Sequence, residues 1–443
     1  MIDEINREAF DLIKLISANP KEIPSQREEQ KGSVKERGFV DMSDKIVGGV
    51  IERATDLSDN TVSIFYVDDN VRLGFDEKHY PKYKSLVEKI YLLDEFKNKI
   101  ALSFIETKSF DWVLDVYRNQ KANVTLIDHL RTNTESNLNT YQFHFPVFNL
   151  EIEAPFKIGN TEFKFFTKEH WDNYYKSLQE KKPTDEESFD EIFRKDFQGQ
   201  VLAKVTVTAE RDKAEEIAKI EAENSVNVLK LYGITPAIPE RKTMFDLNFR
   251  LNYQVKTIFL SQNVDEKDGL ALNLKFQNPP YEFYKEHFLS ANQRGLQTFS
   301  HYLKLKKDNE LYNLVIQAIG FIGSALSNWD LHLRCVNLIT TLESLLLKDD
   351  EKGDLEQKAK ARLSKIISDD FKEKEKIKSI FSNIYQVRHK MIHKAKRITI
   401  NTKELAQAQI IMINLLLKLM RFNIAGNHTG KAMVIEELNK IKS

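Results

Sequence analysis

The sequence is almost free of cysteine, and this scarcity excludes two classes of protein. Cys335 is the only cysteine among 443 residues. A single thiol forms neither an intrachain disulfide framework nor a zinc site built from cysteines. The composition therefore fits a chain that folds in a reducing compartment, and we expect it in the cytoplasm.

The chain also lacks a net charge. Lysine and arginine together number 66, and aspartate and glutamate together also number 66. A neutral protein has no global attraction to nucleic acids or to acidic membranes. Any affinity for RNA therefore has to come from a local patch of positive charge.

Long hydrophobic runs are missing as well. The most apolar run, IIMINLLLKLM at 410–420, is shorter than the roughly 20 residues of a spanning helix and contains Lys418. The first residues, MIDEINREAFDLIKLISANP, are amphipathic and have no apolar core of the signal-peptide type. We therefore expect a soluble protein that is not exported and has no membrane partner.

Three motifs with well-understood chemistry do not occur in the sequence. There is no GxxxxGK[ST] or GxGxxG, which argues against a phosphate-loop nucleotidase. There is no HExxH, although His389 and His393 have a spacing that zinc accepts. No third ligand is evident, so a zinc-dependent hydrolase is the weakest interpretation, and we predict neither a metal nor another cofactor.

The order of the predicted elements indicates an α+β chain in three parts. Residues 1–138 read as a mixed helical region, and residues 139–284 as a β-rich α+β domain. Residues 285–443 read as an all-α helical bundle. Gly159 and Asn160, between two β-rich stretches, predict a hairpin turn.

The last part contains four long segments with apolar residues at helical spacing. Their predicted ranges are 310–327, 330–348, 371–393 and 403–422. Asn401 followed by Glu404 predicts the start of the last of these helices. The charged stretch 348–360 is interpreted as a solvated loop or the start of a helix. Trp329 and Cys335 are predicted to lie in the core.

A cluster of arginine, histidine and lysine lies at the end of the third of these segments, in VRHKMIH at 387–393. Arg388 and His393 lie five positions apart, about 140° around a regular helix, so both can border one groove. His389 and His393 lie four positions apart and share a face. The cluster predicts a local basic patch, with the RNA-binding candidates Lys390, Lys394, Lys396 and Arg397.

These residue types suit the cleavage of RNA without a metal. A histidine, with an ordinary pKa of about 6.5, can take the proton of a ribose 2′-hydroxyl or give one to the leaving 5′-oxygen. The planar fork of an arginine fits phosphate oxygens and stabilises their transition-state charge. Such cleavage leaves a 2′,3′-cyclic phosphate and spares DNA, which lacks the 2′-hydroxyl.

The spacing of arginine and histidine does not by itself identify a nuclease. Similar pairs are Arg72 with His79, Arg294 with His301, and Arg421 with His428. From spacing alone, the favoured interpretation is a solvated basic end of a helix. Only the pair Arg388 and His393 has a gap of four residues, a polar residue directly after the arginine, and a place late on an amphipathic helix.

Residues of about 285–425 resemble a HEPN domain, in particular the Apea-like kind. The first carrying feature is YQVRHKMIH, in which Tyr385 precedes Arg388 by three positions. The second is the upstream helix WDLHLRCVNLITTLESLLL, with Glu343 in its LESLL context. In that family a small residue often follows the motif histidine, whereas Lys394 stands there in this chain.

The resemblance implies a helical bundle with an Arg-polar-x3-His ribonuclease motif. By that match Arg388 and His393 are the catalytic pair, and His389 is the polar accessory between them. Glu343 and Tyr385 are candidate accessory residues. For Glu343, a place in a buried polar network and a role in orienting Arg388 or His393 remain alternatives.

The resemblance also implies partners and a biological setting. HEPN domains usually dimerise and bring two motifs into one composite cleft, so we expect a homodimer that cleaves RNA. HEPN proteins with a large N-terminal region are often antiviral effectors, so we expect an antiphage or toxin endoribonuclease restrained by residues 1–280, which would bind a trigger ligand or phage component. The alternative is a catalytically inactive module that binds RNA or a nucleotide and dimerises.

Overall fold

The computed structural model describes most of the chain, and this part divides into two compact units. The residues outside the description are 21–44, 47–48, 57, 59, 68–70, 168–171, 173–198, 242–244, 248–255, 263–269, 277–280, 427 and 441–443. Unit 1 comprises Met1–Tyr141 and Val207–Ile217. Unit 2 comprises Gln142–Thr206 and Ala218–Ser443. The two units are described separately.

Unit 1 combines helices with an antiparallel sheet. Its helices are α1 (Ile2–Ile13), α2 (Tyr80–Tyr91), α3 (Leu102–Asn119) and α4 (Leu126–Asn137). Its sheet strands are β1 (Ser17–Pro20), β2 (Lys45–Ile46), β3 (Gly49–Thr55), β4 (Thr61–Val67) and β5 (Val71–Phe75). The strand order is β1-β5-β4-β3-β2, and each neighbouring pair is antiparallel.

The core of unit 1 forms where the helices cover this sheet. β4 reads TVSIFYV, and its β-branched and aromatic residues favour a strand with buried side chains. Phe75 of β5 stacks on Tyr83 of α2 with ring centroids 4.9 Å apart. Beside them, Tyr80 donates a hydrogen bond to the Glu106 carboxylate over 2.6 Å.

Unit 2 contains most of the strands and helices of the described chain. Its strands are β6 (Asn139–Phe148), β7 (Leu150–Ile152), β8 (Phe156–Ile158), β9 (Thr161–Phe165), β10 (Val201–Ala209), β11 (Asp246–Leu247), β12 (Lys256–Gln262), β13 (Leu270–Phe276) and β14 (Tyr281–Phe283). Its helices are α5 (Arg211–Leu231), α6 (Lys285–Gln293), α7 (Leu296–Leu305), α8 (Glu310–Leu326), α9 (Leu331–Leu346), α10 (Leu355–Ile367), α11 (Phe371–Lys394), α12 (Thr402–Ile424) and α13 (Lys431–Lys440). The boundaries between the units fall inside β6, β10 and α5.

The strands of unit 2 form one larger sheet and two small pairs. The larger sheet has the order β11-β6-β10-β9-β8. β12 pairs with β13 in antiparallel fashion, and β14 pairs with β7 in parallel. The predicted hairpin turn is confirmed, because Ile158 pairs with Thr161 across Gly159 and Asn160. Gly159 has a φ of +59°, a left-handed conformation that glycine adopts readily.

The α+β fold class is confirmed, with a strand-rich N-terminal region followed by a helical C-terminal region. The four predicted helices correspond to α8, α9, α11 and α12, and Asn401 caps the last of them as expected. α10 is an additional helix, and it begins inside the charged stretch 348–360 and packs against α11. Unit 2 thus contains more helices than the predicted bundle of about four.

The two residues predicted to lie in the core behave differently. Cys335 is fully buried, and this burial raises the pKa of its thiol to about 12. The prediction for Trp329 was wrong, because its side chain is 53% exposed. Trp329 lies in the connection between α8 and α9, directly before Asp330, whose carboxylate caps α9. The apolar spacing of a helix predicts burial only for the residues of that helix, and Trp329 lies outside α9.

α12 is the one described helix that is long and apolar enough to cross a membrane. Within the folded chain, 61% of its most apolar stretch is buried. α9 and α11 pack against this helix. Burial by other helices is the pattern of a core helix in a folded protein.

Strand-rich and helical parts of unit 2 are joined by buried polar contacts. Arg334 of α9 is 1% exposed and donates to the carbonyl of Pro239 over 2.7 Å. Gln409 of α12 donates to the carbonyl of Pro236 over 3.3 Å. These contacts cross the predicted boundary at residue 285, and the three-part division stays a prediction.

An ion pair fixes the loop before α10. Arg362 contacts both carboxylate oxygens of Glu351, over 2.6 and 2.8 Å, and also donates to the carbonyl of Leu346 over 2.7 Å. The hydrogen bond from Arg362 lowers the pKa of the Glu351 carboxyl to about 2. These contacts tie the middle of α10 to the preceding loop and to the end of α9.

We expect Glu351→Gln to flatten the dependence of stability on pH below about 4.5. Because the folded pKa lies below the ordinary value, the ionised carboxylate stabilises the fold above pH 4.5, and this contribution is lost as the pH falls towards 2. Urea unfolding of both chains across this window measures the effect. The control is Glu375→Gln, which removes a carboxylate from a more exposed ion pair. Parallel curves for wild type and Glu351→Gln would contradict the assignment.

Candidate active site

The basic end of α11 borders a cleft whose other walls come from α9 and α10. The cleft has a volume of about 460 Å³. Its lining residues are Glu343, Leu355, Glu356, Tyr385, Gln386, Arg388, His389, Lys390 and His393. The structure therefore brings together all three predicted catalytic residues, both predicted accessory residues and one of the predicted RNA-binding lysines.

The sequence of α11 explains why these side chains face the cleft. Asp370 caps the helix by accepting a hydrogen bond from the amide of Glu373 over 2.8 Å. Apolar residues then recur at helical spacing and are buried against the neighbouring helices; they are Ile377, Ile380, Phe381, Ile384 and Val387. Residues that flank this stripe or lie opposite it in the last turns line the cleft.

An ion pair between helices holds Arg388. Its Nη1 lies 3.0 Å from Oε1 of Glu343 on α9. The side chain of Arg388 is 33% exposed, so part of the guanidinium remains accessible. Glu343 also acts on the buried Tyr385 hydroxyl, so a place in a polar network and the orientation of Arg388 both stay predictions for this residue. A guanidinium with a fixed plane presents its remaining donors in a fixed direction.

The two histidines lie at the open side of the cleft. The ring centroids of His389 and His393 are 4.9 Å apart, and both residues are exposed. Neither ring has a hydrogen-bond partner within the described residues, so both are available to a ligand. Across the same part of the chain, no three histidine, cysteine, aspartate or glutamate residues are placed to hold a metal ion.

Tyr385 lies at the floor of the cleft. The residue is 5% exposed, and its hydroxyl forms no hydrogen bond of normal geometry with the described part of the chain. Burial, followed by the charge of the nearby Glu343 carboxylate, raises the pKa of Tyr385 well above its ordinary value. The hydroxyl therefore keeps its proton, and the carboxylate that acts on it most strongly is that of Glu343, the partner of Arg388.

Glu356 of α10 is a residue of this cleft that the sequence analysis missed. Its Oε1 accepts a hydrogen bond from Nζ of Lys360 over 2.7 Å. Lys360 is 4% exposed and also donates to the Ser382 hydroxyl of α11 over 2.6 Å. A signal was present, since glutamate and lysine four positions apart support a helix. Their spacing did not indicate which face of that helix would meet α11.

The remaining predicted RNA-binding residues lie outside the cleft. Lys394 and Lys396 are exposed at the end of α11 and do not line it. Arg397 forms an ion pair with Asp330 over 2.5 Å and lines a second cavity of about 500 Å³ that also contains Trp329. The predicted basic patch is thus divided between the cleft, the helix end and this second cavity.

Comparison with known proteins does not assign this site. No protein-family model, curated protein or solved structure matches the chain. The resemblance to a HEPN domain stays a prediction that rests on the sequence motifs. Any assignment of function therefore has to come from the cleft and its chemistry.

The end of α11 fixes the position of His393 through an uncommon backbone conformation. Ala395 caps the helix with a φ of 47° and a ψ of 30°, in the left-handed region. Its amide and that of Lys396 both donate to the carbonyl of Lys390. This turn follows Lys394, the position where the family pattern often has a small residue. A residue with a Cβ is strained there, whereas glycine is not.

We expect Ala395→Gly to stabilise the fold by about 0.5 kcal/mol. Relief of left-handed strain contributes about 1 kcal/mol, and the larger entropy of glycine in the unfolded chain offsets part of it. Chemical unfolding measures the difference. The matched control is Ala406→Gly inside α12, where the same change should destabilise by about 1 kcal/mol. Destabilisation by both changes would contradict the strain at Ala395.

Proposed function

We propose that the chain is a metal-independent endoribonuclease of the HEPN type. The observation that carries this proposal is the convergence of Arg388, His389 and His393 on one cleft. Two accessible imidazoles next to an oriented guanidinium supply a proton acceptor, a proton donor and a fixed positive charge. Transesterification of RNA requires these three functions.

The proposed reaction is an internal displacement at phosphorus. One imidazole removes the proton of the ribose 2′-hydroxyl, and the 2′-oxygen forms a bond to phosphorus. The bond from phosphorus to the 5′-oxygen breaks, and a protonated imidazole gives its proton to that leaving oxygen. Arg388 stabilises the additional charge on the phosphate oxygens. The products are a 2′,3′-cyclic phosphate and a free 5′-hydroxyl.

Basic residues next to the cleft support the binding of an RNA strand. Lys390 lines the cleft, and Lys394 and Lys396 extend from the end of the same helix into solvent. Arg397 continues the positive charge, although part of its charge is balanced by Asp330. In a chain without net charge, such a local path is where phosphate groups would gain favourable contacts.

A homodimer formed through the helical part belongs to the same proposal. Exposed apolar side chains lie on the helices that carry the cleft, with Leu333 38% exposed on α9 and Ile392 56% exposed on α11. Trp329 is 53% exposed directly before α9. Covering such side chains with a second copy is favourable and would bring two clefts together. Sedimentation of the full chain tests this, and a monomer at the concentrations that cleave RNA contradicts it.

The proposed setting is antiphage defence, with the nuclease acting as a toxin in the cytoplasm. A nuclease that cleaves cellular RNA has to be restrained, and we assign this restraint to residues 1–280, which would sense a trigger ligand or a phage component. No membrane partner is proposed. A host that expresses the full chain should grow until phage infection. Arrest without infection, absent from a His393→Ala strain, would contradict the restraint.

One observation favours the alternative of an inactive module that binds RNA or a nucleotide. Arg388 already has an anionic partner, because Glu343 lies 3.0 Å from it. A guanidinium neutralised in this way stabilises an additional negative charge less strongly. In that case the cleft would bind RNA, and the helical part would serve for dimerisation.

We expect His393→Ala and Arg388→Ala each to reduce RNA cleavage at least about 100-fold, because each removes a group that acts on the reacting phosphate. Labelled RNA is incubated in EDTA with full-length protein purified from phage-infected cells, in which the trigger has acted, and the product ends are analysed. Wild type should yield cyclic-phosphate ends, and EDTA should leave its rate unchanged.

The matched control is His301→Ala, which removes an exposed histidine on α7 of the same unit and should leave cleavage unchanged. Retention of fold and oligomeric state in each variant is checked by circular dichroism and sedimentation. Cleavage that persists in His393→Ala contradicts the assignment. RNA binding by wild type without cleavage, with or without phage infection, would support the inactive module.

A further inference from the structure

The inner wall of the cleft has a different chemistry from its rim. The histidines, Arg388 and Lys390 lie along α11, where a phosphate group would meet donors and positive charge. Beside them lies the partly exposed carboxylate of Glu356 on α10, and further inside lies the buried Tyr385 hydroxyl. This inner part is suited to a neutral group with both hydrogen-bond donors and acceptors.

Glu356 places an acceptor in the cleft that a phosphate cannot use. Lys360 binds its Oε1, and no described residue donates to its Oε2. A carboxylate repels a phosphate oxygen and has no proton to offer it. It accepts hydrogen bonds from N–H groups, which nucleobases carry on their Watson–Crick edges.

Tyr385 places a donor in the same inner part. Its hydroxyl is buried and forms no hydrogen bond of normal geometry with the described residues. Glu343, the carboxylate that acts on this hydroxyl most strongly, already pairs with Arg388, so a ligand that supplies a well-placed acceptor there is favoured. Glu356 and Tyr385 line the same cleft. One ligand edge can therefore meet both groups.

We propose that Glu356 and Tyr385 form a guanine-binding subsite next to the cleaved phosphate, an inference that rests on the proposed RNA substrate. Guanine carries two adjacent N–H donors, at N1 and N2, which match a carboxylate. Next to them is the O6 acceptor, which matches the Tyr385 hydroxyl. The side chain of Leu355, 38% exposed at the edge of the cleft, supplies an apolar contact for the base.

The other bases fit this pair of groups less well. In adenine and cytosine, the amino group that could donate to Glu356 stands beside a ring nitrogen with a lone pair, which the carboxylate repels. In uracil, the single N–H lies between two carbonyl groups, which the carboxylate also repels. A site that binds a base through such a pair of hydrogen bonds rejects bases that leave its polar groups unpaired.

Binding of mononucleotides to the full-length protein tests this subsite. The probes are guanosine, inosine and adenosine 3′-monophosphates and inorganic phosphate, with dissociation constants measured by calorimetry or ligand-observed NMR. We expect guanosine monophosphate to bind at least about tenfold more tightly than inosine monophosphate, which lacks the N2 amino group. Equal affinity for the three nucleotides, or for nucleotides and phosphate alone, overturns the proposal.

Two variants assign the preference to the named side chains. Glu356→Gln replaces one acceptor oxygen with a donor and should abolish the preference for guanosine over adenosine. Tyr385→Phe removes the donor to O6 and should weaken guanosine binding several-fold. Glu375→Gln, the same charge change elsewhere on the helices, should bind as wild type does. A preference that survives in both site variants overturns the proposal.

Failure of the subsite and failure of the nuclease give different results. Metal-independent cleavage of RNA without regard to base, together with equal nucleotide affinities, leaves the nuclease intact and removes the guanine subsite. Selective binding of guanosine monophosphate without any cleavage supports the subsite and removes the nuclease. Loss of folding in Glu356→Gln, whose partner Lys360 is buried, leaves the wild-type probe series as the deciding measurement.

Discussion

The ion pair between Glu343 and Arg388 is the contact on which the candidate active site depends. It joins α9 to α11 at the level of the cleft and restricts the plane of the Arg388 guanidinium, which lines that cleft. A partly exposed ion pair contributes little to the stability of a fold. Its importance here is geometric, because it restricts the orientation of a guanidinium that lines the same cleft as both histidines.

The spacing of apolar residues predicted four of the helices of unit 2 well. Each apolar stripe reports the face that a helix buries, so α8, α9, α11 and α12 were anticipated within two residues at either end. The motif on α11 followed, since Arg388 and His393 are neighbours on one helix. Contacts between helices are not encoded in such spacing. The approach of α10, and with it Glu356, therefore became visible only in the structure.

The misplacement of Trp329 and the dispersal of the basic patch have a common cause. Within a helix, the number of positions between two residues determines which face each one occupies. Beyond the end of the helix, the same number does not predict where a residue lies. α11 ends at Lys394, and the chain then turns so that Arg397 meets Asp330 at the start of α9. The four predicted RNA-binding residues therefore occupy three places. Lys390 lines the cleft, Lys394 and Lys396 are exposed at the end of α11, and Arg397 lines the second cavity. The sequence predicted a basic region, and the turn after α11 determines which surfaces its residues occupy.

The buried contacts of Arg334 and Gln409 limit how this protein can be recombined. Both side chains bind carbonyls of the segment around Pro236 and Pro239, which precedes the helical part by many residues. A chimera joined at the start of α6 would remove the acceptors of Arg334 Nη1 and of the Gln409 amide, both buried, at a cost of about 1–3 kcal/mol each. Exchange of the helical part thus requires the transfer of this segment with it.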